Sequence, residues 1–173
     1  ALSVSQSLRS TVGSYLNQYR LLTTTVSIRE PRYLGIVVHA QIVPSEAHVP
    51  AIVVDRVRTL LRLYLSPLAT ETEDERLAEI IGPDWEGWPF GRDLYVSELF
   101  SLIQQVPGVK HVLDVRLGQR PIVPAKIKPT PGEAEEALFH DAEQAAVSGQ
   151  RAITVPEDAL LCLVSSEVEV VNL

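Results

Sequence analysis

The sequence predicts an α+β fold, a two-layer sandwich with helices packed on one face of a small, mainly antiparallel sheet. Three observations point there. Helical and alternating apolar patterns succeed one another in the order α-β-β-α-(α)-α-β over residues 1–117. Each alternating stretch has one apolar and one more polar side, as a sheet covered on a single face requires. The apolar fraction of 46% over 173 residues suffices for a real core. After residue 117 the character changes, so the chain divides into an α+β domain, 1–117, and a second segment, 118–173. That segment reads as an arm: a proline-rich connector, a helix and a small β element.

Taken in order, Val4, Leu8, Val12, Tyr15 and Tyr19 recur every three or four residues and predict an amphipathic helix to about Arg20. Leu21 to Arg29 changes to β-branched alternation (Thr24, Val26, Ile28), and Leu34 to Ile42 alternates again beyond the turn at Pro31. The short connection makes an antiparallel hairpin the simplest pairing. A helix from about His48 to Leu65 follows, with Pro50 tolerated in its first turn. Val53, Val57, Leu60, Leu61 and Tyr64 form its apolar stripe, and Arg56 and Arg62 point away. Residues 68–86 are acidic, with Thr72 and Glu75 at capping-box spacing before a short helix that ends at Gly82-Pro83.

The segment from Gly87 to Leu117, GWPFGRDLYVSELFSLIQQVPGVKHVLDVRL, is the one the rest is organised around. Gly87 and Gly91 bracket a turn in which Pro89 holds Trp88 extended. Asp93 is the expected helix N-cap, with Ser97 as the later alternative. Tyr95, Leu99, Leu102 and Val106 share a helical face, and Pro107-Gly108 ends the helix. Val109, His111, Leu113, Val115 and Leu117 then form one side of a strand. Beyond it, Pro121, Pro124, Pro129 and Pro131 mark the extended connector. Thr130, Pro131 and Glu133 open a helix to about Val147, and short strands follow at Ile153–Val155, Leu161–Val164 and Val168–Val171, the last two around a Ser165-Ser166 turn.

Composition excludes several function classes. A formal charge of −7 does not suit a nucleic-acid backbone or an anionic membrane. No apolar run approaches the roughly 20 residues of a spanning helix, and no signal peptide is visible. The absence of Met, at position 1 included, reads as the mark of a fragment or processed product. The single cysteine, Cys162, lies in an apolar run and reads as a small buried hydrophobe rather than a reactive thiol.

The candidate chemistry is thin. His39, His48, His111 and His140 have no helical metal-site spacing, and His111 and Asp114 fall on opposite faces of an ideal strand. The carboxylates from Glu71 to Glu86 lack the glycine and ligand spacing of a calcium loop and read first as a solvated acidic loop, second as a partner-binding one. Asp93 and Glu98 form a conceivable acid–base pair, but capping accounts for the first and an exposed flank for the second. No nucleophile elbow, phosphate loop or Cys-x-x-Cys motif occurs. No catalytic, cofactor-binding or metal residue is therefore assigned, and no cofactor is expected. Trp88 and Phe90 are the most informative aromatics. They read either as a plug closing the end of the core or as an interface anchor, with Arg92 compatible with both.

Two stretches together resemble a known family. The first is YLNQYRLLTTTVSIREPRYLGIVVHAQIVP, Tyr15 to Pro44; the second is Leu63 to Pro67 with the Gly87–Leu117 segment. The match is to the C-terminal region of the baseplate-J-like wedge proteins of contractile phage tails and contractile injection systems, and its specific part runs from GWPFGR to Pro-Gly-Val. The chain departs from the pattern at Ala69–Glu86, which is longer and more acidic than the usual short glycine-rich loop, and Gly118–Leu173 matches only loosely. The resemblance implies a non-enzymatic structural protein, assembled in the cytoplasm into a baseplate particle. Its implied partners are a second wedge chain in a sixfold ring and neighbouring sheath, spike or hub proteins, with no nucleic acid and no membrane insertion. On this reading Trp88, Pro89, Phe90, Gly91, Arg92, Pro107 and Gly108 are the residues expected to serve core closure or contact, and the proline-rich Pro121–Pro131 arm, outside the matched stretches, is expected to dock a partner. The alternative reading is a small ligand-binding or regulatory α+β domain of a cytosolic enzyme, with a ligand near His39 or His111.

Overall fold

A computed structural model describes residues 4–29, 32–122 and 151–172. Its central strand, β1 (Arg32–Pro44), pairs antiparallel with β3 (Val109–Pro121) and parallel with β5 (Ala159–Val170), giving the order β3-β1-β5. A second, two-stranded sheet joins β2 (Leu94–Tyr95) to β4 (Ala152–Ile153). The helices α2 (Pro50–Tyr64), α3 (Glu75–Ile81) and α4 (Val96–Gln104) contribute to one core with the three-stranded sheet. The fold is thus α+β as expected, but its three-stranded sheet is mixed, with one antiparallel and one parallel pairing, and not mainly antiparallel.

The core forms where the two periodicities meet. Ile36, Val38, Ala40 and Ile42, two residues apart on β1, face Val53, Val57, Leu60 and Leu61 of α2 and Leu99, Leu102 and Ile103 of α4. The opposite face of the sheet carries polar pairs, including His39 Nδ1 with Glu167 at 2.9 Å and Gln41 Nε2 donating to Glu169 at 2.9 Å. The starts of β1 and β5 are tied by Arg32, whose guanidinium meets the Asp158 carboxylate in two hydrogen bonds. That hydrogen bond and the charge behind it hold the Asp158 carboxyl below the usual aspartate range.

Several expectations are corrected. Residues 21–29 form no strand, so the expected hairpin is absent; all but the half-buried Ile28 lie exposed, and β1 takes β3 and β5 as neighbours instead. β-Branched alternation supplies a pleated surface but not a partner. The N-terminal helix, α1 (Gln6–Asn17), forms with Ser5 as its cap yet buries none of its residues. The cap of α3 is Asp74, whose carboxylate accepts from Arg76 N–H, and Thr72 instead supports Asp74 N–H. Arg56 does not point away: its Nη1 donates to Pro107 O at 3.2 Å, linking α2 to the end of α4.

In β3 the alternation slips. Gln41 pairs with Asp114 but Ile42 with Val112, so Leu113 is a bulge. Val115 and Leu117 face the core as expected, whereas Val112 replaces His111 and Leu113, both of which are exposed. The same bulge puts His111 and Asp114 on one side of the strand rather than on opposite sides.

The C-terminal segment supplies a strand to the main sheet. β3 runs through residues 117 and 118 without a break, and β5 is one continuous strand through Ser165-Ser166, where a hairpin turn was expected. Its register shift sits opposite Ile36/Val37 and leaves Val164 unmatched. The expected helix at 130–147 and most of the connector, with Pro124, Pro129 and Pro131, lie outside the described residues.

Candidate functional site

The Gly87–Arg92 turn closes the end of the core where α2 finishes, and its glycines are what allow the approach. Gly87 has φ +108°, and a Cβ there would sit 2.8–2.9 Å from the Leu68 backbone. Gly91 has φ +65°, with Glu157 Cα 3.1 Å from where its Cβ would be. The turn is therefore held between the chain leaving α2 and the chain entering β5. Positive φ and a vanishing side chain are both needed, which only glycine supplies.

Trp88 fastens the turn inward. It is 1% exposed, its main-chain N–H donates to Ser66 O at 2.7 Å, and its Nε1–H donates to Arg92 O at 3.0 Å. With both donors satisfied, burying the indole carries no polar penalty. Tyr64 meets Trp88 edge-on at 5.4 Å between centroids and stacks on Trp85 at 4.8 Å. The Arg92 guanidinium lies over the Trp88 ring at 4.6 Å and reaches Glu98 Oε2 at 3.3 Å, to which Tyr64 Oη–H also points at 3.5 Å. The result is a half-buried aromatic–guanidinium–carboxylate cluster beside a shallow groove of 590 Å³ lined in part by Ile80, Ser97 and Gln105.

The turn's two large rings part company. Phe90 is 57% exposed and Pro89 is exposed beside it, so Trp88 is the core plug while Phe90 is displayed. Pro107 and Gly108 belong to a different corner. Gly108, at φ +102°, packs so closely on α2 that a Cβ would lie 2.7 Å from Val53 Cγ2. Tyr95 does not share the buried face of α4; it is exposed, and Ile103 joins Leu99, Leu102 and Val106 inside.

Neither carboxylate stands where the sequence puts it. The cap position of α4 is Tyr95, without a side-chain cap bond, and Ser97 lies exposed inside the helix. Asp93 Oδ1 instead accepts from Val155 N–H at 2.9 Å, binding the turn to the C-terminal segment 62 residues away. Glu98 is drawn into the aromatic cluster rather than left on an open flank. Trp85 and Tyr64 complete that cluster without having been singled out for it. The capping-box helix before Trp85 and the stripe ending at Tyr64 were the signals available.

Two predictions arise from the cluster. Trp85 Nε1 is buried with no hydrogen-bond partner among the described residues. Trp85→Phe keeps a ring against Tyr64 and removes that orphan donor, so denaturant unfolding should show no loss of stability beyond about 0.5 kcal/mol. Tyr64 has its phenol pKa raised, first by burial and then by the Glu98 charge, with Arg92 opposing. A raised folded-state pKa means that the unfolded tyrosine ionises first. This contribution is intact below the ordinary tyrosine range and is lost as pH climbs through the folded value. A phenolate absorbance titration should show a step displaced above the ordinary tyrosine range, and Tyr64→Phe should abolish that late step.

Among the described residues no group of His, Cys, Asp and Glu side chains is arranged to hold a metal ion. The Cys162 thiol is half-buried, burial pushes its pKa up, and Sγ lies 3.8 Å from Leu34 O, all of which suit a packing role. No described helix is long and apolar enough to cross a membrane. In comparisons with known proteins, no protein-family model matches the chain, and no curated protein matches it.

Proposed function

We propose that this chain is a structural component of the baseplate wedge of a contractile phage tail or contractile injection system, working by protein–protein assembly and not by catalysis. The observation that carries the reading is the GWPFGR turn. The segment on which the resemblance is most specific is also one the fold clamps closely, with Trp88 sunk into the core and Phe90 exposed. A rigid backbone that displays an aromatic ring beside Arg92 is suited to an interface, because a pre-ordered anchor loses little entropy on binding. The partners are a second wedge chain of a sixfold ring, with sheath and spike or hub proteins as neighbours, and assembly takes place in the cytoplasm.

The test is co-purification of the tagged chain with the tail proteins encoded beside it. Wild type should retain a second wedge chain, and Phe90→Glu should lose it while keeping wild-type thermal stability. Retention of no tail protein, or saturable binding of a metabolite near His39 or His111, would overturn the reading and favour a ligand-binding domain.

A further inference from the structure

Among the described residues the sheet ends on one side at β5, and half of that strand has an open edge. Its first part is covered, since Leu163 N–H donates to Leu65 O beyond the end of α2, at 3.3 Å. Past the unmatched Val164, the only strand beside it among the described residues is β1. Val171 N–H donates to Ile42 O, and successive residues of a strand address opposite neighbours. The N–H and C=O groups of Ser166, Val168 and Val170 therefore point outward, and none has a partner among the described residues. A row of unpaired ladder groups is a template for another strand.

Charge around this edge differs between its two sides. On the helix side, Arg58 and Arg62 of α2 line a groove of 320 Å³ whose other wall is Leu163 to Ser166, and Arg58 also lines the 480 Å³ pocket that holds Glu167 and Glu169. Neither guanidinium forms an ion pair among the described residues, and Asp55 is the one carboxylate lining that groove. On the opposite side stand Glu167 and Glu169. A strand laid along the edge would meet cations with one set of alternate side chains and carboxylates with the other.

We propose that the outer edge of β5, from Ser166 to Val170, is a strand-addition site for an extended segment of a different chain. That segment carries Asp or Glu on the side facing α2 and Lys or Arg on the side facing Glu167 and Glu169. A second copy of this chain does not fit, because antiparallel two-fold pairing would set Glu167 and Glu169 against their own equivalents. The inference does not rest on the wedge reading, and its test uses the 173-residue chain with synthetic peptides alone, so either can fail without the other.

The probe is a peptide alternating Glu and Lys with threonine ends, followed by amide hydrogen exchange of the protein. Bound peptide should slow exchange at Ser166, Val168 and Val170, and leave Glu167 and Glu169, already bonded to β1, unchanged. The same peptide N-methylated along its backbone should give no protection. Arg58→Glu with Arg62→Glu should weaken binding roughly tenfold. Absence of protection at those three amides in millimolar peptide would overturn the proposal. So would protection that survives either N-methylation or the double charge reversal.

Discussion

Trp88→Ala is expected to destabilise the fold by about 3–5 kcal/mol, the range for removing a fully buried aromatic side chain. Three losses combine. The indole fills space between Tyr64, Trp85 and Arg92, and deleting it leaves a cavity at the end of the core. Arg92 O loses the donor that holds the turn closed. The edge contacts with Tyr64 and Trp85 go as well, each worth about 0.5–1.5 kcal/mol beyond area. Equilibrium unfolding in urea should show the midpoint fall at unchanged slope, with Tm lower on the order of 10 °C. Trp88→Phe should recover part of the loss, since it restores ring volume but not the bond to Arg92 O.

Gly87→Ala should be the next most damaging change, at about 2–5 kcal/mol, because backbone strain and overpacking add. Its φ of +108° is unfavourable for any L side chain, and the new methyl would meet the N, Cα and C atoms of Leu68 at 2.8–2.9 Å. Main chain cannot turn aside as a flexible side chain can. Gly82 provides the control: its φ is +92°, yet nothing lies within 4 Å of a Cβ built there. Gly82→Ala should therefore cost only the conformational part, about 1–2 kcal/mol. The difference between the two variants in urea unfolding isolates the cost of the Leu68 contact.

What the sequence made legible is what local periodicity encodes. The stripes of α2 and α4 are visible because a 3.6-residue repeat puts Val53, Val57, Leu60 and Leu61, or Leu99 and Leu102, on one side of a helix wherever that helix packs. The glycines of the two corners are visible because turns need positive φ, which Gly87, Gly91 and Gly108 each adopt. What stayed hidden depends on distant partners. Nothing local in Leu161–Val170 says that it runs parallel to a strand some 128 residues earlier, as Gln41 and Glu169 do. Nor could Asp93 be seen to serve Val155 in place of a helix end, because both roles ask the same of a carboxylate. Residues 21–29 show the converse, a strand-like pattern that joins neither described sheet. The Leu113 bulge moves His111 to the open side without leaving any mark in the residue types.

The candidate site was legible in its centre and not in its division of labour. Trp88 and Phe90 stand two residues apart around one proline, and composition treats them alike. The fold separates them, because the Ser66 and Arg92 carbonyls meet the donors of Trp88 while no comparable contact draws Phe90 inward.

Hydrogen exchange at Trp88 tests most directly whether this turn is locked to both layers. Its main-chain N–H and indole N–H should exchange only through global unfolding, with the same denaturant dependence as the core amides of Leu99 and Ile103. Fast exchange of either proton under native conditions, while those core amides stay protected, would mean that the turn opens on its own and would contradict the account.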